Sequence, residues 1–340
     1  MPLSPPVRPR LLPLLLLAGP LLLAACAKAP GGAATRGPAA GASSEFKVGL
    51  LVSGSVDDGG WNQLGKQGLD EIAAKLGAKT SYQLAQKSDM AQAFKNYARA
   101  GYQLIIGHGS EYGSAVQQVA PQFPETRFVV ASSDVKGPNY TSIKFDLWQA
   151  AYLAGILAAS VSRTGKAGQI GGESFAPVAQ AFRAFGEGGK SYNPSFQVTT
   201  DYVGNWQNAN KAKEQALAMI DRGADILFQN ADAAGGGIFQ AAREKPGVLV
   251  IGSNADQTPM APEVVIASAV LGVPRAFLEV ARDVKEGHLK NGFYVEDLRG
   301  SVDVVINPKF KTRIPAKARQ AMDQAREELL AGRLTVPATR

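Results

Sequence analysis

The sequence predicts an α/β protein of two doubly wound parallel-sheet lobes joined by a hinge. Three observations carry that expectation. From Phe46 onward short apolar runs alternate with helical patterns, the sequence form of βαβ units and a parallel sheet. The alternation runs through two similar series, with a crossing near 132–145 and returns near 269–273 and 298–302. The 340 residues also suit two domains at roughly 150 residues each.

The first series opens on Val48–Asn62, VGLLVSGSVDDGGWN. Its near-continuous apolar start suits a strand buried on both faces. It then breaks into Gly, Ser and Asp before a periodic segment at Leu64–Leu76. Strands follow at Lys79–Leu84, Leu104–Gly107 and Arg127–Ala131, after a first one at Phe46–Val52, with helices from about Gln63, Asp89 and Gly113 between them. Ile143–Phe145 starts the second series, and Leu147–Ser162 is a long apolar helix. Strands at Gly168–Gly171, Phe196–Tyr202, Ile226–Gln229 and Val248–Gly252 alternate with helices from about Ala176, Asn208 and Gly235. Val264–Ala269 leads to a helix at Pro274–Glu286, and Ser301–Ile306 and Pro315–Ala331 are the last strand and helix. The first lobe is then 46–142 plus about 270–299, and the second 143–269 plus about 300–340. Two such lobes with a site between them form the geometry of a hinge-closing binding protein.

Residues 1–25 read as a signal peptide: Arg8 and Arg10, then an apolar run from Leu11 to Ala25 broken by Pro13, Gly19 and Pro20. The run is short for a membrane-spanning helix, which needs about 20 residues. It ends in Leu23-Ala24-Ala25-Cys26, which resembles the bacterial lipobox, and Cys26 is the chain's only cysteine. Lipidation of Cys26 is the expectation, with 26–45 as a flexible tether of Ala, Gly, Pro and Ser. One cysteine rules out a disulfide within the chain and a cysteine metal cluster. Net charge is +7, with 45% hydrophobic and 19% charged residues. The basic residues are scattered and form no stripe, so nucleic-acid binding is not expected.

In an open α/β sheet ligands bind beyond the carboxyl ends of the strands. Asp57, Asp58, Trp61 and Asn62 fall there, and two acids, a ring and an amide can hold something flat that carries donors. Trp61 reads as a stacking wall or a packed core ring. Asn62 fits a helix cap as well as a ligand contact. Asp134 follows Arg127–Ala131, and Asp232 precedes Gly235-Gly236-Gly237, where backbone can approach a ligand closely. His108, between Gly107 and Gly109, faces the same rim.

Asp58-Gly59-Gly60-Trp61-Asn62-Gln63 resembles the Asp-Gly-Ser-Phe-Asn-Asp signature of the basic membrane protein family. These are lipoproteins serving as substrate-binding subunits of ABC importers, several of them purine nucleoside receptors. The resemblance continues through Phe128-Val129-Val130 to Asp134, Tyr152-Leu153-Ala154-Gly155, and Gly171-Gly172 with Pro177 and Phe182. Tyr202-Val203-Gly204-Asn205-Trp206, Ala224-Asp225-Ile226 and Ile251-Gly252-Ser253-Asn254-Ala255-Asp256-Gln257 extend it. It implies a type I periplasmic-binding-protein-like fold and a purine held between two rings. Carried over, Trp61 is one wall and Phe182 the other, although Phe182, with Val178 and Phe185 on its helix, suits core packing equally; Asn62 and Asp134 contact the base edge or neighbouring polar atoms, and Asp256 lies near the ribose. Two departures fall on the sugar side. Asn254 stands where the family usually has Asp, and Ser268-Ala269-Val270-Leu271-Gly272 lacks the family's Ser-x-x-Lys lysine. They leave a free nucleobase open beside an intact nucleoside.

The expected ligand-binding set is therefore Asp58, Trp61, Asn62, His108, Asp134, Phe182, Trp206, Asp232, Asn254 and Asp256. The expected partners are a small purine ligand, an ABC permease with its ATPase, and a membrane through the lipid anchor. A monomer without cofactor, metal or catalysis is expected. A sugar or other small polar solute is the alternative ligand. Gly107-His108-Gly109-Ser110-Glu111-Tyr112-Gly113 superficially resembles a dinucleotide fingerprint with Asp134 downstream, which keeps an exported dinucleotide enzyme as the alternative outside binding proteins. Its third glycine is one place late, and the unit is not the first βαβ. Gly189-Lys190-Ser191 runs from helix to strand, the reverse of a P-loop.

Overall fold

The central strands form where branched and aromatic residues can be buried on both sides, and with polar edge strands they assemble into two six-stranded sheets. The computed structural model describes residues 45–336 apart from Lys87. The leader, Cys26 and the tether lie outside the described residues.

The first sheet contains β1 (Lys47–Val52), β2 (Lys79–Leu84), β3 (Leu104–Gly107), β4 (Arg127–Ala131) and β5 (Tyr140–Phe145). The second contains β6 (Lys166–Gly171), β7 (Gln197–Tyr202), β8 (Ile226–Asn230), β9 (Leu249–Asn254) and β10 (Val265–Val270). The short β11 (Tyr294–Glu296) returns to the first sheet and β12 (Asp303–Ile306) to the second. The orders are β11-β5-β4-β3-β1-β2 and β12-β10-β9-β8-β6-β7. Every pairing is parallel except that of β12 with β10. Central strands β3, β8 and β9 are wholly buried, whereas the polar edge strands β2 and β7 are largely exposed.

The helices are α1 (Trp61–Leu76), α2 (Asp89–Arg99), α3 (Gly113–Val119), α4 (Leu147–Val161), α5 (Ala176–Tyr192), α6 (Ala209–Asp221), α7 (Gly235–Glu244), α8 (Val273–Lys285) and α9 (Ala316–Leu330). Helix α4 is apolar nearly all round because it is covered nearly all round, by α5, α9 and β10. Helix α8 lies against α1, with Phe277 filling the space beside Gly68. One apolar cluster runs from Leu50, Ile72 and Phe277 through Phe145 and Leu147 to Phe182, Phe185 and Phe228. The two lobes therefore share a core along the hinge.

The chain crosses between sheets three times: at Asp146 between β5 and α4, at Leu271–Gly272 between β10 and α8, and across 297–302 between β11 and β12. The crossings are knit together. Asp146 N donates to Glu296 O at 2.8 Å, Leu298 N to Gln149 Oε1 at 3.1 Å, and the Ser301 hydroxyl to the Glu296 carboxylate. Gly272 is needed there, since a Cβ would lie 2.1 Å from Ser301 Cβ.

The structure corrects one boundary of the sequence reading. Ile143–Phe145 does not open the second series but ends β5, which pairs with β4 in the first sheet. The start of β5 reads as polar, Tyr140-Thr141-Ser142, yet Thr141 and Ser142 are buried. Their hydroxyls are satisfied by Gly292 O and by Val135 O, so burial does not require apolar residues there. β11, three residues long, carries too little pattern to be read from sequence.

Candidate functional site

A cleft lies at the hinge. Its walls come from the carboxyl ends of the strands of both lobes. Ser53 follows β1, Gly109, Ser110 and Glu111 follow β3, Ser132 follows β4, and Phe145 ends β5. Opposite them, Phe175, Pro177 and Val178 follow β6, Trp206 follows β7, Asn230 and Asp232 follow or end β8, and Asn254 ends β9. Leu147 and Leu271 close it at the hinge. The lobes touch in this state, with Gln257 Nε2 donating to Gly59 O at 3.3 Å.

Trp61 is the aromatic wall of the first lobe. Its indole stacks on His108 with centroids 3.9 Å apart and planes 10° apart, and stands edge-on to Phe145 at 5.9 Å. Trp61 Nε1 donates to His108 O at 3.2 Å, which pins the ring across the end of β3. His108 does not reach the cleft. It is wholly buried behind Trp61, and its Nε2 lies 2.7 Å from Trp61 O, the arrangement of a neutral imidazole donating through Nε2. Burial holds the imidazole at about 4, against an ordinary 6.5.

That depressed value has a consequence for stability. The unfolded chain takes up a proton near 6.5 that the folded chain refuses until about 4. Stability contributed by neutral His108 is therefore lost as pH falls through that window, by about 3 kcal/mol in all. Urea melts at both ends of the window should show His108→Gln losing less stability on acidification than the unaltered protein. Equal losses would mean that His108 is not the group responsible.

Asp58 and Asn62 support Trp61 from below. The Asp58 carboxylate accepts from Gly60 N at 2.9 Å, Asn62 N at 2.9 Å, Asn62 Nδ2 at 2.9 Å and Gln63 N at 3.1 Å. It thus satisfies the free N–H groups at the start of α1. Both residues are buried and neither lines the cleft, which corrects the expectation that they touch ligand.

The second lobe supplies Phe175 and Trp206, with centroids 5.7 Å apart and planes tilted by 43°. Gly172 makes room for the indole, since a Cβ there would meet Trp206 Cε3 at 2.1 Å. Phe182, expected as the second stacking wall, is a core residue. It packs on Phe228 at 5.5 Å and Tyr202 at 6.0 Å and is 3% exposed. Phe182 and Phe185 both pack on Phe228 of β8, and Phe175, ahead of that helix, is the ring left to the cleft. Asp134 and Asp57 are exposed and away from the cleft. Asp256 is also exposed, and its carboxylate accepts from Thr258 N at 3.0 Å in a local turn. Of the expected set, the structure brings Trp61, Trp206, Asp232 and Asn254 together in one cleft.

Asp232 and Asn254 stand out by their backbones. Among the described residues, the non-glycine residues with positive φ are Ser132 at 54°, Asp232 at 47° and Asn254 at 68°, and all of them line the cleft. Left-handed backbone is costly outside glycine and gathers at binding sites. Asn254 Nδ2 lies 3.4 Å from Asn230 Oδ1. Asp232 Oδ1 is buried without a partner. Burial raises the Asp232 carboxyl well above its ordinary value, and Asp58 and Glu111 add to the shift. Glu111 is raised by burial as well, then by Glu173. No Lys, Arg or His lies among the described lining residues.

Glu111, Ser132, Phe145, Leu147, Phe175 and Leu271 were not foreseen. For Phe175 a signal existed: an aromatic just past a strand and just before a Pro-initiated helix, as with Trp61 past β1. Glu111 lay inside the segment resembling a dinucleotide fingerprint, whose glycines meet protein atoms instead. A Cβ on Gly107 would meet Tyr112 Cβ at 2.7 Å, and one on Gly109 would meet Glu111 Oε2 at 2.3 Å.

Residues 46–302 match the family described as ABC transporter substrate-binding protein, PnrA-like. A purine-binding protein of Brucella abortus is 30% identical over 259 residues, 75% of this chain and 73% of that protein. The ABC transporter nucleoside-binding protein BmpA of Lactococcus lactis is 27% identical over 88% of this chain and 92% of its own. The transcriptional activator protein Med of Bacillus subtilis is 28% identical over 79% and 86%. Among solved structures, an ABC transporter solute-binding protein of Aeropyrum pernix superposes with a TM-score of 0.80 at 21% identity, over 87% of this chain and 94% of that one. That likeness shows the fold, the two-lobed type I periplasmic binding architecture. With the family match spanning both lobes and the cleft between them, the chain belongs to the PnrA-like family of ABC transporter substrate-binding proteins.

Proposed function

We propose that the protein captures a purine nucleoside or free purine base in the hinge cleft and delivers it to a membrane permease driven by an ATPase. The observation that carries the reading is that Trp61 from one lobe and Phe175 and Trp206 from the other line a single cleft. Aromatic side chains from both lobes suit a flat heterocycle, and the serines, Asn230, Asn254 and Asp232 give its edges hydrogen-bond partners. The Brucella and Lactococcus relatives, named for purine and nucleoside binding, support the same ligand class. Closure on ligand excludes water from the slot and shifts the lobes toward the touching state. The protein acts by binding and release, without catalysis, and works as a monomer. Lipidation of Cys26, supported by Leu23-Ala24-Ala25-Cys26, keeps it at the membrane beside its permease.

The test is a thermal shift of residues 45–340 with purine nucleosides, purine bases, pyrimidines, sugars and NAD. A ligand at 100 times its Kd should add about 2.7 kcal/mol of stability. Stabilisation by purines is the expected result. A shift with sugars alone would keep the fold and remove the purine assignment, and a shift with NAD alone would favour the enzyme alternative.

A further inference from the structure

We propose that Glu111 and Asp232, one carboxyl from each lobe, choose between purines by accepting paired N–H donors from the ligand's edge. The cleft then takes an amino-substituted purine of the guanine type and turns away the C2-oxo purine xanthine. The inference rests on the purine reading above and deepens it.

Asp232 is 8% exposed, lines the cleft, and has Oδ1 without a partner in the protein. A buried acceptor left unpaired is costly, and a ligand donor removes that cost. The N–H donors at the start of α1 are already taken. A Cβ built on Gly60 would lie 3.9 Å from Asp232 Oδ1 and 4.0 Å from Asp58 Oδ1, so Asp232 reaches across to the start of α1. The N–H groups of Gly60, Asn62 and Gln63 there are held by Asp58. Glu111 sits in the turn Ser110–Tyr112, folded back over Gly109. Gly109 has φ of 148°, and with any Cβ 2.3 Å from Glu111 Oε2 only glycine admits the carboxylate at that place.

The surroundings of the pair are of one sign. Asp58 acts on Asp232, Glu173 acts on Glu111, and Glu111 acts on Asp232. The Ser53 hydroxyl is the one side-chain partner that favours charged Glu111. With no basic group in the described lining, a ligand bringing further acceptors, such as a phosphate or an oxo edge, finds no cation there and does nothing to offset the burial that raises both carboxyls. One bringing donors offsets it. Guanine presents N1–H and its C2 amine side by side, two donors for the two carboxyls. Hypoxanthine offers N1–H alone, and xanthine places an oxygen where the amine would be.

The test is isothermal titration of the protein at neutral pH with guanine, hypoxanthine and xanthine, each as free base and as riboside. Using both forms keeps the sugar side from confounding the comparison. Guanine is expected to bind about tenfold or more tightly than hypoxanthine, the worth of one charge-assisted hydrogen bond, with xanthine weakest. Glu111→Gln and Asp232→Asn should each bring guanine and hypoxanthine to within about threefold. Asparagine tolerates left-handed backbone, so Asp232→Asn keeps the turn. The unaltered protein's ranking needs no variant to fold. Equal affinities for the three purines, or variants that keep the original ratio, would overturn the selection while leaving a purine receptor. Failure of every purine to bind would remove both readings.

Discussion

Replacing Gly155 by alanine should lower folding stability by about 3 kcal/mol or more, the upper range for overpacking a core. A Cβ at Gly155 would lie 2.0 Å from Phe185 O and 2.8 Å from Gly189 N. These are backbone atoms of α5 and cannot swing aside. The contact is reciprocal, since a Cβ on Gly188 would lie 2.0 Å from Tyr152 O. Helices α4 and α5 therefore meet backbone to backbone, and one methyl must push them apart. α4 begins at Leu147, which lines the cleft, so the same displacement reaches the hinge. Urea denaturation of Gly155→Ala measures the loss, and a midpoint equal to the unaltered protein's would show that the helices can separate at no cost.

Replacing Trp61 by alanine should weaken purine binding by roughly 5- to 150-fold, the range of about 1–3 kcal/mol for stacking a base on an aromatic ring. The indole is held on both faces of its task. His108 backs it at 3.9 Å, and the Nε1 bond to His108 O fixes its plane. Trp61→Phe keeps a flat wall and should lose much less affinity. Alanine also uncovers buried His108, so some loss of folding stability accompanies the change, and affinities should be compared by titration at a temperature where both proteins are folded. Near-equal affinities for the alanine variant would place the ligand away from Trp61.

The strands and helices were legible because their signals are local. β3 reads Leu104-Ile105-Ile106-Gly107 and is buried throughout; α4 reads as apolar and is buried nearly all round. β5 was misplaced because its buried Thr141 and Ser142 are satisfied by partners far along the chain or across a loop, which no local pattern records. The role of Phe182 stayed open for a related reason. Beside Val178 and Phe185 it suited core packing as well as stacking, and only its packing on Phe228 and Tyr202, brought in from other strands, decides for the core.

The acids show the division most clearly. Asp58, Asp232 and Asp256 are all loop carboxylates near strand ends, and sequence gives them equal standing. In the structure Asp58 is consumed by the N–H groups of α1, Asp256 caps an exposed turn, and Asp232 lines the cleft with one buried oxygen unpartnered beside the start of α1. The sequence by itself determined the two α/β lobes, the order of their elements and the cleft-edge position of Trp61, because burial periodicity and turn chemistry act over a few residues. The tertiary structure decided which lobe β5 joins, which rings of the second lobe line the cleft with Trp61, and which acids line it. Those outcomes depend on which groups meet across the hinge, and partners brought together from distant parts of the chain leave no mark on the local sequence of either.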